Sequence, residues 1–118
     1  MTVRRWAVVE AHLDPATGAE QKGTRPVLVV SNDEFNRSMP NVTVLPLTST
    51  SRRLYPSEVF FPQGKAGQPL DSIAMAHQIR TLSKQRLGDT LGYLEDERLR
   101  QQVCEALIEH LDIASVDG

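Results

Sequence analysis

The chain has 118 residues and a mass of 13.1 kDa, a size that predicts one compact domain over residues 1–118. Its formal net charge of −2 argues against a protein that coats nucleic acid non-specifically, because such proteins are strongly basic. One cysteine, three scattered histidines and no long apolar run or signal peptide lead us to expect a cytoplasmic protein without disulfide, metal, cofactor or membrane segment.

Short strands and one helical turn are predicted in the first half of the chain. The strands cover 6–13, 26–30 and 42–47, and the helical turn covers 33–38. The run Val27 to Val30 is apolar without alternation, which indicates a strand buried on both faces. Pro46 restricts the third strand to a sheet edge, a bulge or a strand end, because proline donates no backbone hydrogen bond.

The second half continues with strands and ends in a helix. Strands are predicted at 58–61 and 89–94, two further strand-like halves of 71–82 meet near His77, and a helical turn covers 83–87. From residue 95 to 113 the apolar residues recur every three or four positions, as in an amphipathic helix: Leu99, Val103, Ala106, Leu107, Ile108 and Leu111. Residues 115–118 read as a frayed tail. The elements predict a small, bent antiparallel sheet or barrel with a terminal helix.

The chain is organised around residues 18–33, where a charged loop leads into a rigid strand. Pro26 biases Arg25 toward an extended backbone, so its side chain is expected to be held in one direction. A cluster of hydroxyl residues, 48–51, follows the third strand, and a basic loop with Arg52 and Arg53 comes next. Taken alone, Arg25 would be a surface ion-pair residue, 48–51 a polar turn, and the basic loop either a phosphate clamp or a solvated loop.

Several strings in order resemble the MazF/PemK family of toxin endoribonucleases: LDPATGAEQKGTRPVLVVSND, VLPLTST and DSIAMAHQIRTLSKQRLG, followed by a helix with an acidic start. The resemblance covers nearly the whole chain. It implies a mainly β protein with helices, an SH3-like small antiparallel barrel of the CcdB/PemK-like fold. It also implies a homodimer, metal-independent cleavage of single-stranded RNA, messenger RNA included, and a MazE-like antitoxin whose disordered tail covers the RNA groove. Apolar residues near Leu45, Phe60 and Phe61 are candidates for the dimer contact.

The resemblance also assigns site residues. The family's catalytic arginine falls on Arg25 and its catalytic threonine on Thr48. The expected RNA-binding residues, from the charged loop, the hydroxyl cluster with its basic neighbour and the QIRT region, are Glu20, Gln21, Ser49, Arg52, His77 and Gln78.

Cleavage of RNA without a metal can use the neighbouring 2′-hydroxyl as nucleophile and leave a 2′,3′-cyclic phosphate and a 5′-hydroxyl. An arginine fork suits the extra negative charge on phosphorus, and a threonine hydroxyl can donate to the same oxygens. Arginine is a poor acid or base near neutral pH, although the family's usual account gives Arg25 the proton transfer. Glu20 is the candidate base or helper, and His12 and His77 are alternatives.

The N-terminal edge departs from the family pattern. Trp6 and Ala7 stand where a glycine and an acid are usual, and His12 stands where many members have aspartate. Trp6 is a candidate for base stacking, but a core or interface aromatic is the better interpretation. Two other classes remain open: a toxin of the same fold that binds DNA gyrase, as CcdB does, and a decayed RNA-binding barrel. The CcdB type lacks the pairing of Arg25 with Thr48.

Overall fold

The computed structural model describes residues 3–113, which form a seven-stranded antiparallel sheet and two α-helices. The tail predicted at 115–118 lies outside the described residues. In chain order the elements are β1 Ala7–His12, β2 Thr24–Val29, α1 Asp33–Ser38, β3 Asn41–Thr48, β4 Glu58–Phe61, β5 Ser72–Met75, β6 Arg80–Ser83, β7 Leu87–Tyr93 and α2 Glu97–Leu111. Short 3₁₀ turns at Ala76–Gln78 and Lys84–Arg86 flank β6. This confirms the prediction of a mainly β protein with a C-terminal helix.

Strand β3 is the centre of the sheet. The strand order is β4-β5-β3-β2-β1-β7, and β6 also pairs with β3. The first half of β3 pairs with β6 up to Val44, and its end pairs with β5 from Leu47. Pro46 lies in the gap between these two partners, where a missing N–H breaks no ladder on that side. A proline at a partner change is therefore compatible with a central strand, and of the three positions expected for Pro46 the structure excludes the sheet edge.

Strand β2 separates two apolar clusters, one on each face of the sheet. Val27 and Val29 face the cluster that contains Val42 and Val44, while Leu28 and Val30 face the cluster under α2. All four side chains of the run Val27 to Val30 are buried, as the absence of alternation predicted. The sheet thus buries apolar surface on both sides of the strand that presents Arg25.

Helix α2 begins two residues later than predicted, since Asp96 is its N-cap and its Oδ1 accepts the amide hydrogens of Arg98 and Leu99. Leu99, Val103 and Ala106 are buried against the sheet, as the spacing predicted. Ile108 and Leu111 are half-exposed, so the apolar stripe is only partly covered. No helix within 3–113 is long and apolar enough to cross a membrane.

The segment after β4 packs backbone against backbone on β7. A Cβ atom at Gly67 would lie 2.3 Å from the carbonyl oxygen of Leu91, and one at Gly92 would lie 2.6 Å from that of Ala66. The side chain of Gln68, which is buried, ties the same segment together by accepting the Ala66 amide hydrogen and donating to the Pro62 carbonyl. Glycine at both positions permits this close approach.

The variant Gly67→Ala is expected to lose about 3 kcal/mol or more of unfolding free energy, because its Cβ has no room. Gly64→Ala is the matched control. Both glycines have positive φ, 87° and 76°, but a Cβ at Gly64 meets nothing within 4 Å, so only the conformational cost of about 1 kcal/mol applies. Urea unfolding of both variants measures the difference, and equal losses would contradict the close packing.

Candidate active site

The register of β2 with β3 sets the geometry of the site. Leu28 pairs with Leu45, and Val27 with Pro46 is the last pair of the ladder, so Arg25 lies two residues beyond it on β2 and Thr48 two residues beyond it on β3. A cavity of about 220 Å³ lies at this end of the strands. It is lined by residues of β2, the end of β3, the start of β5 and the loops that adjoin β3 and β5: Thr24, Arg25, Leu47, Ser49, Leu70 and Ser72.

The guanidinium of Arg25 is oriented but not neutralised. Its Nε donates to the carbonyl oxygen of Lys22 at 2.8 Å, which holds the side chain against the loop before β2. Within residues 3–113, no carboxylate lies at salt-bridge distance from it. The described residues therefore do not support the ion-pair interpretation of Arg25, and its full positive charge faces the cavity available for an anion.

Thr48 ends β3 with its side chain almost covered, at 4% exposure. Its hydroxyl donates to Oγ1 of Thr50 at 3.1 Å and accepts the Thr50 amide hydrogen at 3.3 Å. The hydroxyl cluster thus forms a local polar turn, and the same turn presents Ser49 to the Arg25 cavity.

The loop between β1 and β2 is held from the other side by Gln78. Its Oε1 accepts the Gln21 amide hydrogen at 3.2 Å, and its Nε2 donates to the Ala19 carbonyl at 3.2 Å. The carboxylate of Glu20 turns back and accepts the Thr17 amide hydrogen at 2.7 Å. Three of the expected RNA-binding residues therefore meet in one loop arrangement, in which both ends of the Gln78 amide hold backbone.

The buried carboxylate of Glu58, which sequence reasoning missed, contacts two other expected RNA-binding residues, Arg52 and His77. The Glu58 side chain is 0% exposed and forms a bidentate ion pair with Arg52, with N–O distances of 2.8 and 2.9 Å. His77 Nε2 lies 2.8 Å from Oε2 of Glu58, and the Tyr55 amide donates to Oε1. Arg52 also stacks on the Tyr55 ring at 4.2 Å. Both terminal nitrogens of the Arg52 guanidinium are therefore bonded within the protein.

Burial raises the pKa of Glu58, but the hydrogen bonds from Arg52, His77 and the Tyr55 amide outweigh burial and lower it to about 2. The carboxylate is charged across the physiological range and joins β4, the basic loop and the 3₁₀ turn before β6. The signal in sequence was weak, because an acid six residues after an arginine has no fixed geometry outside a helix.

A second cavity, of about 140 Å³, adjoins the Arg25 cavity and shares Ser49 and Ser72 with it. The hydroxyl turn forms one wall, and Phe60 and Asp71 belong to its lining. The two cavities together form a continuous surface across the ends of β2, β3 and β5.

The structure shows the surroundings of two residues at which the N-terminal edge departs from the family pattern, Trp6 and His12. Trp6 packs against the core cluster under α2, and the guanidinium groups of Arg5 and Arg100 lie 4.6 and 5.4 Å from its ring centroid. This supports the core interpretation of Trp6. His12 lies beside the site, since its Nδ1 is 2.8 Å from the hydroxyl of Thr24, which lines the Arg25 cavity.

The sheet and the Arg25 cavity define a small β protein with an unneutralised arginine at an open, hydroxyl-lined site. Residues 4–111 match the family described as PemK-like, MazF-like toxin of type II toxin-antitoxin system, and the chain belongs to this toxin family. The resemblance inferred from the sequence strings is confirmed.

Similar proteins agree with this assignment. The chain is 39% identical over 118 residues, 99% of both proteins, to Endoribonuclease EndoA of Bacillus subtilis (strain 168). It resembles a mycobacterial endoribonuclease solved in complex with its cognate antitoxin, with a TM-score of 0.79, 30% identity and coverage of 96% of this chain and 98% of that one. MazF from Deinococcus radiodurans gives a TM-score of 0.82 at 25% identity, covering 96% and 99%. The CcdB/PemK-like fold is thereby confirmed.

The variant Glu58→Gln is expected to lose unfolding free energy of about 2 kcal/mol at pH 7, because Arg52 keeps its charge without a buried partner. The folded-state pKa of Glu58 lies below its ordinary value of 4.5, so the wild-type advantage is complete above pH 4.5 and disappears as the pH falls through about 2. Chemical unfolding at several pH values measures this difference. Glu95→Gln, a change at an exposed acid, is the control, and an equal pH dependence in both variants would contradict the role of Glu58.

Proposed function

We propose that this protein is a sequence-specific, metal-independent endoribonuclease that cuts single-stranded RNA in the cytoplasm. The neighbouring 2′-hydroxyl attacks phosphorus, and the products carry 2′,3′-cyclic phosphate and 5′-hydroxyl ends. The observation that carries the proposal is an unneutralised Arg25 in a cavity at the end of β3, the strand that Thr48 terminates, in a toxin family whose Bacillus subtilis member is named an endoribonuclease. Cutting messenger RNA in this way would stop translation and growth.

Arg25 stabilises the negative charge that develops on the phosphorane oxygens. Its Nε is already bonded to the Lys22 carbonyl, so the two terminal nitrogens of the guanidinium remain for the phosphate. Thr48 supplies a second donor to the same oxygens. Because its hydroxyl donates to Thr50 in the free protein, contact with RNA exchanges that hydrogen bond for one to the phosphate.

The group that helps Arg25 to transfer protons is expected to lie near the Arg25 cavity. His12 contacts the site through Thr24, and Glu20 lies in the loop that Arg25 is bonded to. His77 is bonded to Glu58 and lies outside the lining of the cavity. We therefore favour His12 or Glu20 over His77 as the group that helps Arg25 move the protons.

The partner is proposed to be a MazE-like antitoxin that covers the RNA groove, and the toxin is proposed to act as a homodimer. Related structures were solved as complexes with a cognate antitoxin or as MazE-MazF assemblies. Leu45 and Phe61 belong to the core, so of the three expected dimer contacts only Phe60 is available at the surface. Sedimentation velocity at micromolar concentration tests the dimer, and a monomer would remove it.

In a cleavage assay with EDTA and a long mixed-sequence single-stranded RNA, Arg25→Ala is expected to lose activity by about 100-fold or more, because one transition-state donor is removed. Thr48→Val keeps the shape of the side chain without the hydroxyl, and a loss of roughly 10-fold to 100-fold is expected. Mass spectrometry of the fragment ends identifies the cyclic phosphate.

Each of the two variants has a control with the same kind of substitution elsewhere in the protein. Arg37→Ala removes an exposed arginine of α1, and Thr43→Val removes a hydroxyl of β3 that is bonded to Thr81. Both should cut at the wild-type rate. Folded wild-type protein that leaves all RNA intact would overturn the enzyme proposal and favour a binding toxin of the same fold, which a gyrase assay would then examine.

A further inference from the structure

We propose that the 140 Å³ cavity binds one base of the RNA next to the cut phosphate, with Phe60 as its stacking surface and Asp71 as its selecting group; this rests on the proposed function. Phe60 is the third residue of β4 and is 45% exposed. Its neighbours Val59 and Phe61 are buried, as the alternation of a strand requires, so the Phe60 ring faces outward. An aromatic face at a polar cavity suits an unpaired base of single-stranded RNA.

The charges of the cavity favour a base over a phosphate. Arg52 contributes to the lining, but both of its terminal nitrogens are bonded to Glu58, so its charge is balanced inside the protein. Asp71 leaves a negative charge at the rim, and its Oδ1 is held by the Gln63 amide at 2.7 Å. A phosphate would be repelled by this carboxylate, whereas a neutral base can donate hydrogen bonds to it.

The positions of the two cavities suit successive parts of one nucleotide chain. Ser49 and Ser72 line both cavities, so a phosphate bound by Arg25 lies beside the entrance to the Phe60 cavity. The RNA backbone then stays beside the positive charge of Arg25, and the adjoining base turns toward Phe60. The cavity therefore determines the base at a single position of the recognised sequence.

The chemistry of Asp71 also predicts which bases are accepted. A carboxylate only accepts hydrogen bonds, and adenine, cytosine and guanine each carry an exocyclic amino group that donates two. Uracil has no amino group, and its single ring N–H lies between two carbonyl oxygens that a carboxylate repels. We expect uracil to be excluded at this position.

The test is cleavage of a randomised single-stranded RNA library, with the ends of the products sequenced for wild type and variants. Wild type should show one position beside the cut at which uracil is depleted. Phe60→Ala should weaken the selection at that position and lower cleavage of the preferred sequence by about 10-fold, while Phe60→Tyr should retain both. Asp71→Asn should admit uracil at the same position, because an amide also donates.

Leu54→Ala is the matched control, since Leu54 is also 45% exposed and shares with Phe60 the lining of a groove between β4 and α2, but does not line this cavity. Its cleavage pattern should be that of wild type. An active Phe60→Ala protein with unchanged base selection would overturn the base cavity and leave the proposed nuclease intact. The same result with a shift from dimer to monomer in sedimentation would assign Phe60 to the subunit contact instead. Wild-type protein that cuts nothing would overturn both proposals.

Discussion

The change of partners along β3 is the constraint on which the site depends. The strand pairs with β6 along its first half and with β5 at its end, while β2 stays on its other side. The Arg25 cavity lies beyond the last pair of β2 with β3 and takes its lining from β2, β3 and β5. Backbone pairing of β2 with β3 thus brings Arg25 to a cavity that Leu47 and Ser49, the two neighbours of Thr48 in the chain, also line.

Two arginines at the two adjoining cavities have opposite electrostatic roles in this structure. Arg25 is bonded to a carbonyl and keeps its charge, whereas Arg52 is bonded to a buried carboxylate and loses most of its outward field. The difference arises from Glu58, the first residue of β4, whose carboxylate pairs with Arg52 of the basic loop. Charge is thereby concentrated at the strand ends, and the neighbouring cavity is left with only the carboxylate of Asp71 uncompensated.

Strand and helix positions followed well from the sequence, since apolar runs such as Val27 to Val30 and the spacing of Leu99 and Val103 depend on local pattern. Arg25 and Thr48 were assigned as site residues only through the resemblance, because the pairing of β2 with β3 is a long-range property that local pattern does not reveal. The ion pair of Glu58 with Arg52 and His77 was missed, as no local rule joins residues in three separate elements. The position of Pro46 stayed open among an edge, a bulge and a strand end, because the sequence carries no sign that β3 changes partners at this proline.

The ion pair of Arg52 with Glu58 affects how binding to a polyanion such as RNA depends on the salt concentration. Binding to single-stranded RNA releases condensed counterions roughly in proportion to the phosphates that free cations neutralise. An arginine already matched by an internal carboxylate adds nothing to that release. Although Arg52 is one of 13 Lys and Arg residues in the chain, it should therefore not contribute to the ionic-strength dependence of RNA affinity. A salt titration of RNA binding would count only the cations that have no internal carboxylate partner.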